Sequence, residues 1–588
     1  MRIGYFWGGL AGAGLIVAAA ALGVAIAPGW ALTALATQGQ AGRGWPLQAA
    51  SVHLDMSDGI AVRFDGVTLA GASGDDGALL KASSFRLPIG LGGLLGHRAS
   101  FSGGELQDAT LNFTIDEMGH ANWPQLSPGA GRVLFDNATL AFSDARTGQR
   151  FQLSRISGAV DVSEAGETSA SGTAIANGAL LKIDAFVKDM ARLTSGGSPA
   201  EFTLAGPAFN LSFTGRVATV GALSLAGTAA ISGPDARQAL AWTGASLPGD
   251  QGFKAFSMSG GLDASGRVFA LRNADLRLDA VVAKGDIGID YRGTVPKLTA
   301  ALKTSPLRLD GYMPALTFEG QEWSAAPVGF EGLRGLDASL HLEVAGLSSG
   351  RLDLGGAVIE ANLAKGRLDG SVSAATLPDC KFTLDGSGGV QGMAIGLRSV
   401  DPIGLLGAVA HVDWLSGAGT LTASLQATGA SLQEMVSTLA GDAQFQLSDG
   451  ALHHLDVAKV LAAVSRDVLQ GWPGAEEDHS AFTGLSGTLH FADGIGALKA
   501  FKLDGPAVTM TATGSIDLLR RAIDLRADPR LFTGSGSDTV GLPVAVVVRG
   551  SWDKPKVYPD IANILSNPGA AYADLKGLGM PQLPAGGN

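Results

Sequence analysis

The sequence predicts a mainly β protein with antiparallel strands, preceded by one N-terminal transmembrane helix and with a few short helices near the C-terminal part. Three observations carry that expectation. Apolar and polar residues alternate along much of the chain, Gly and Asp-Gly punctuate the alternating stretches at hairpin distances, and one long apolar run lies near the start. Successive side chains of a strand point to opposite faces, so alternation marks strands with one apolar and one polar face.

The apolar run extends from Gly8 to Ala27 without a charged residue. At about 1.5 Å per helical residue it reaches about 30 Å, the thickness of a bilayer's hydrocarbon core. Tyr5, Phe6 and Trp7 before it and Trp30 after it suit an interfacial aromatic belt, and Arg2 favours an inside amino end. The alternative is a cleaved signal peptide with Ala34-Leu35-Ala36 as its small-residue site. The run is longer than a usual signal core, so residues 1–32 read as an anchor. No second run approaches that length, which places the remainder on one side of the membrane.

Strands follow in order. Ala109, Leu111, Phe113 and Ile115 interleave with Thr110, Asn112, Thr114 and Asp116; Val508, Met510, Ala512 and Ile516 interleave with Thr509, Thr511, Thr513 and Asp517. Shorter copies lie at Val62 to Phe64, Val67 to Leu69, Leu134 to Phe142, Leu211 to Phe213, Leu352 to Leu354, Leu421 to Leu425 and Leu489 to Phe491. No exact repeat underlies them. Helices are few and late: Ser431-Leu432-Gln433-Glu434 has capping-box spacing before the stripe Leu432, Met435, Val436 and Leu439, with Gly441 as a stop. A second helix is expected over Asp456 to Gln470, and Asp401-Pro402 opens a third.

Composition excludes several classes. The chain has 588 residues with 85 Gly and only 16% charged residues, against about 25% in an average globular chain. A mean hydropathy of +0.23 excludes an acidic or basic disordered chain, and Gly without a three-residue period excludes collagen. Lys and Arg number 42 against 54 Asp and Glu, for a net charge of −12. No basic cluster is present to offset phosphate, so nucleic acid is not an expected partner. Cys380 is the single cysteine, which excludes an internal disulfide and a thiolate metal site.

If a strand with its turn takes roughly 15 to 20 residues, the region beyond the anchor holds about 25 to 35 strands, more than one open twisted sheet carries. Such a sheet must curl, split or repeat. A continuous curled sheet would make an apolar trough more than about 100 Å long, whereas several β-sandwiches would seal their apolar faces against each other. Alternation alone fits both.

Catalytic signals are weak. Gly346-Leu347-Ser348-Ser349-Gly350 matches GxSxG, but Arg351 to Leu354 continue as a strand where a nucleophile elbow needs a helix. His453 and His454 are adjacent and diverge on any regular element. There is no Gly-Lys dipeptide and no complete GxGxxG, so nucleotide is not an expected partner. Asp75-Asp76 and Glu476-Glu477-Asp478 read as solvated loop acids, and Trp123 after Asn122 as a packing anchor. The chain is therefore expected not to be an enzyme, with no cofactor and no metal.

A family resemblance orders these pieces. The anchor, Gly42-Arg43-Gly44, the strands of Val62 to Leu69, apolar Leu87 to Leu95, the strand Ala109 to Ile115 and Gly119-His120-Ala121-Asn122-Trp123 resemble the amino-terminal part of the AsmA family. The carboxy-terminal part resembles it more closely. Gly417 to Gly429 with the capped helix, Leu439-Ala440-Gly441, Asp449-Gly450-Ala451, Leu485-Ser486-Gly487-Thr488, Ala492-Asp493-Gly494, Gly505-Pro506 and Gly514 to Leu518 run in the family's order. Leu542-Pro543-Val544 and Gly550 to Pro555 complete it. Each motif is degenerate and their succession is specific, over about half the chain.

The resemblance implies a single-pass protein of a Gram-negative cell inner membrane with its C-terminal bulk in the periplasm, its strands forming one elongated, curled antiparallel sheet similar to the repeating β-groove of bridge-like lipid-transfer proteins. It would carry or guide phospholipid between the membranes and support outer-membrane biogenesis. Phospholipid and the inner membrane are the implied partners, with the outer membrane or envelope proteins as further ones. The regions are 1–32, anchor; 33–160, N-terminal AsmA-like; 161–400, middle groove; 401–560, AsmA-like C-terminal; and 561–588, tail. An acyl chain gains about 0.8 kcal/mol per buried CH₂, so a carrier needs an apolar lining while the headgroup stays in water. The candidate lining is Val67, Leu69, Leu111, Phe113, Ile115, Leu211, Phe213, Val508 and Met510. The alternative is a non-catalytic scaffold or assembly factor modulating outer-membrane protein insertion; an extracytoplasmic hydrolase at Ser348 is a third.

Overall fold

Strands rich in Val, Ile, Leu, Phe and Thr, many of them ended by Gly, Asn or Asp, leave the chain little choice but to pair with its own next segment. The computed structural model describes residues 47–560 apart from 71–77, 90–102, 123–130, 243–251, 313–322, 454–478, 533–538 and shorter stretches. The described chain is mainly β with few helices. The run Gly8 to Ala27, Trp123, Asp75-Asp76, Glu476 to Asp478, the helix expected over Asp456 to Gln470 and the tail lie outside the described residues. Among the described residues no helix is long and apolar enough to cross a membrane. Two compact units, Met1–Leu302 and Lys303–Asn588, divide the chain, a boundary that falls inside the expected 161–400 region.

In the first unit, Val62 to Leu69 form one strand, Ala61–Ala70, instead of two. It pairs with Leu47–Gln48 and Ser51–Asp55 on one side and with Ala78–Pro88 on the other. The sheet is predominantly antiparallel, as expected, with a few parallel pairs that make it mixed. Gly103–Gln107 and Thr110–Ile115 both lie parallel to Gly131–Asp144. Parallel neighbours need a crossover of a dozen or more residues, and residues 116–130 supply it. From Gly131–Asp144 onward each strand pairs antiparallel with the next through Gln149–Val162, Thr168–Ala176, Ala179–Val187, Ser198–Ala205, Asn210–Ala218, Ser224–Gly233, Phe256–Ser265, Val268–Leu278 and Val281–Asp290.

A helix absent from the sequence-based expectation, Ala236–Trp242, interrupts this meander. Asp235 starts it, its carboxylate accepting from the Arg237 and Gln238 N–H groups at 2.8 and 3.1 Å. The helix reaches back over four strands. Trp242 Nε1 donates to the Ala176 carbonyl at 3.0 Å, and the indole packs edge-on against Phe209.

Among the described residues the second unit continues the same grammar over fourteen strands, in chain order from Asp337–Ser349 to Lys556–Pro559. Two helices stand where expected. Ser431 caps Leu432–Ser437 by accepting from the Glu434 N–H, while the Glu434 carboxylate accepts from the Ala430 N–H at 2.8 Å. Asp401 caps Pro402–Ala410. Gly441 is no helix stop, since it lies inside the strand Ala440–His453; the helix has already ended at Thr438, whose hydroxyl bonds to the Glu434 carbonyl.

A strap crosses one end of this ladder. Arg334 donates to the Gly386 and Gly388 carbonyls at 2.7 and 2.6 Å, Pro327 bridges to Ser431, the Gln433 N–H donates to the Ser324 carbonyl, and Trp323 Nε1 donates to the Leu518 carbonyl at 2.9 Å. The outermost of these anchor points, at Gly386 and Leu518, sit on turns about six strand spacings, or about 29 Å, apart. The strap ends in a short 3-10 helix, Phe330–Gly335, which carries Arg334.

Candidate functional site

Every strand from Gly131–Asp144 to Val268–Leu278 turns alternate side chains into one apolar cluster, which also takes in Phe64, Phe85 and Phe113 from the strands before them. Nine strands at about 4.8 Å make this strip about 40 Å long. The tails of one lipid leaflet span about 15 Å, half of a hydrocarbon core. The strip is therefore longer than an acyl tail.

Seven of the nine candidate lining residues meet on this face. Val67, Leu69, Leu111, Phe113, Leu211 and Phe213 are buried members of the cluster, and Ile115 packs at its margin, partly buried. Val508 and Met510 belong to a separate, smaller cluster in the second unit with Leu485, Phe482 and Leu503. Position on the strand explains the grouping, because each pair of alternate residues projects toward the same side as the pair opposite it. Phe202 stands directly opposite Phe213, with ring centroids 5.0 Å apart.

Two hollows open along the strip. One is lined by Phe202, Phe213, Leu225, Met258, Leu262 and Phe269, the other by Leu111, Leu140, Leu153, Ile156 and Ile183. The free space is about 30 Å³ in the first and about 60 Å³ in the second, enough for a few water-sized spheres at about 10–15 Å³ each. Neither is closed on all sides. The floor of the second is the cross-strand pair Gly158 and Gly172. A Cβ on Gly158 would stand 2.3 Å from the Ser171 carbonyl oxygen, so only glycine lets these backbones approach. Leu153, Ile156, Ile183 and Met258 were missed as lining residues. The signal was present, since each alternates with polar neighbours, but nothing local separates a strand that borders a hollow from one that does not.

The residues singled out for chemistry lie in strands and turns. Ser348 lies in Asp337–Ser349, opposite Asp353 of the next strand, and Gly350 turns the chain with φ +56°. Asp310 holds that turn by accepting from the Gly350 N–H at 2.7 Å and the Ser349 hydroxyl at 3.2 Å. A strand follows, not a helix, so this is a hairpin. His453 ends a strand with Nε2 2.8 Å from the Ser416 hydroxyl; His454 lies outside the described residues. Asn122 is buried and clamps the strand Thr110–Ile115, accepting from the Thr114 N–H and donating to the Asn112 carbonyl. Burial pushes the Cys380 thiol up from its ordinary pKa, with the Asp379 charge adding to it, which leaves little reactive thiolate. Among the described residues no group of three or more His, Cys, Asp or Glu is gathered to hold a metal.

No protein-family model matches the chain, and no curated protein matches it.

Proposed function

We propose that this protein is an AsmA-like carrier that holds phospholipid tails against the apolar strip, with headgroups in water, and so guides lipid between the membranes of a cell envelope. The observation that carries the reading is the unbroken apolar face running through nine consecutive strands. A β-sandwich core joins strands distant in the chain, whereas this strip follows chain order, the arrangement a sliding tail requires. The hollows over Gly158 and Gly172 and beside Phe213 are where tails first enter, by displacing Leu and Phe side chains. Each buried CH₂ contributes about 0.8 kcal/mol, so two tails of ordinary length offset the repacking. The membrane anchor at Gly8 to Ala27, the inner-membrane location and the absence of catalysis belong to the same proposal.

Native mass spectrometry of the full chain, extracted in a mild detergent, tests it. Phospholipid bound in stoichiometric amount is the expected result. A lipid-free chain accompanied by a stable envelope protein would favour the scaffold. Ala229, which faces Phe213 across the strands, supplies the control: Ala229→Leu fills the first hollow and should lower bound lipid several-fold with the fold retained.

A further inference from the structure

Residues directly opposite one another in neighbouring strands share a face. Reading across the first unit, Val52 stands opposite Phe64, Phe64 opposite Phe85, Phe85 opposite Leu106 and Leu106 opposite Phe135. Phe64, Phe85, Leu106 and Phe135 are buried members of the apolar cluster, whereas Val52 at the end of the row is 56% exposed. A second row ends the same way: Leu54 lies opposite Val62, and Val62 opposite Leu87. Leu54 is 59% exposed and Met56, next in the same alternation, is 71% exposed. The interior face therefore comes out to the surface on the strand Ser51–Asp55. Among the described residues that strand pairs on one side alone, with Ala61–Ala70.

The opposite face of this corner is closed by ion pairs. Arg86 meets Asp55 at 2.9 Å, and Arg63 and His53 meet Asp65 at 2.9 and 3.3 Å. Its charges are matched, so nothing on it attracts an anionic partner. What remains unpartnered is apolar and continuous with the core.

We propose that Val52, Leu54 and Met56 rest in the surface of the lipid bilayer and form the mouth through which tails pass to the interior strip. This rests on the carrier reading above. The occupant follows from chain length as well as chemistry. Leu47 is separated from the apolar run ending at Ala27 by residues 28–46, which reach at most about 65 Å. A spanning run thus holds this corner beside a bilayer at high effective concentration. Contact by apolar insertion, without a basic cluster, makes binding independent of anionic lipid and insensitive to salt.

The test uses the full chain with Cys380→Ser, carrying an environment-sensitive fluorophore at Leu54→Cys or at Leu180→Cys, in phosphatidylcholine vesicles. Leu180 is equally exposed at 59% but stands away from this corner. Doxyl-labelled lipid should quench the Leu54 probe at least twofold more than the Leu180 probe, equally at low and high salt. Equal quenching overturns the mouth, and if lipid still copurifies the carrier reading survives. Quenching at Leu54 in a chain that never copurifies lipid overturns the carrier and leaves a membrane contact. A chain that does not enter vesicles overturns the mouth through its tether. Val52→Asp with Leu54→Asp should cut copurified lipid several-fold at unchanged thermal stability.

Discussion

The two units share one grammar and differ in how far their apolar faces close. Among the described residues the first gathers 37 buried side chains into a single cluster, nine of them Phe. The second has four clusters of three to eight. Its strands alternate just as regularly, yet Arg367–Ala374 and Gly392–Ser399 present Leu, Val, Ile and Met as half-buried side chains. Alternation chooses the face, and side-chain volume decides whether that face seals. A carrier built on this plan would hold its lipid tightly along the first unit and loosely along the second.

That contrast can be broken by a matched pair. Leu140 and Leu503 are each 1% exposed, one in the large cluster and one in a small one. Leu140→Ala should cost about 4 kcal/mol and Leu503→Ala about 2 to 3, because a thin cluster collapses more readily around the cavity. Hydrogen exchange read on the strands of each unit measures both. Equal losses would show that the extent of the surrounding cluster does not matter.

The ties across the ladder ends sharpen the comparison at the next level. Arg334→Ala removes two charged hydrogen bonds of the second unit's strap and should destabilise the turns at Gly386 and Gly388 by about 2 kcal/mol. Trp242→Phe removes a single indole bond in the first unit and should cost about 1 kcal/mol. Faster exchange confined to those turns is the expected pattern. Exchange spreading through the whole second unit would mean that the strap holds the ladder itself.

The smallest effects come from surface charge and have opposite pH signs. In the first unit the Arg292 guanidinium and N–H hold the Asp290 carboxyl at about 2. A depressed carboxyl stabilises the fold fully above about pH 4, and that contribution is lost as pH falls toward 2. Asp290→Asn should flatten that loss. In the second unit His341 sits between Glu360 and Glu343, which raise its pKa. Its contribution is present below about pH 6.5 and disappears as pH rises through the folded value. Urea midpoints of the second unit should therefore rise slightly from about pH 8 to about pH 6, and His341→Asn should remove the rise.

Several features were legible in particular residues. Ser431 with Glu434 and Asp401 with Pro402 announced their helices because capping chemistry is local. The strand at Thr110 to Ile115 announced itself by its alternation. Asp235 carried a capping signal of the same kind, yet the helix Ala236–Trp242 went unread, since its apolar stripe is short and its stabilising contacts come from Ala176 and Phe209. Seven of the nine candidate lining residues fall together in the first unit's cluster and two in a smaller one, but the two hollows were not foreseen. They depend on Gly158 meeting Gly172 across a register that no single strand contains.

The sequence by itself determined that the chain forms strands with one apolar face and which residues stand on that face, because side-chain direction in a strand is a local steric property with a period of two. Only the tertiary structure decided which of those faces closes. It also set three strands parallel to a neighbour through Gly131–Asp144 and Leu307–Arg308, and left Val52, Leu54 and Met56 uncovered while their row-mates are buried. Burial is a property of neighbours brought from far along the chain, and a strand carries no record of what will lie across from it.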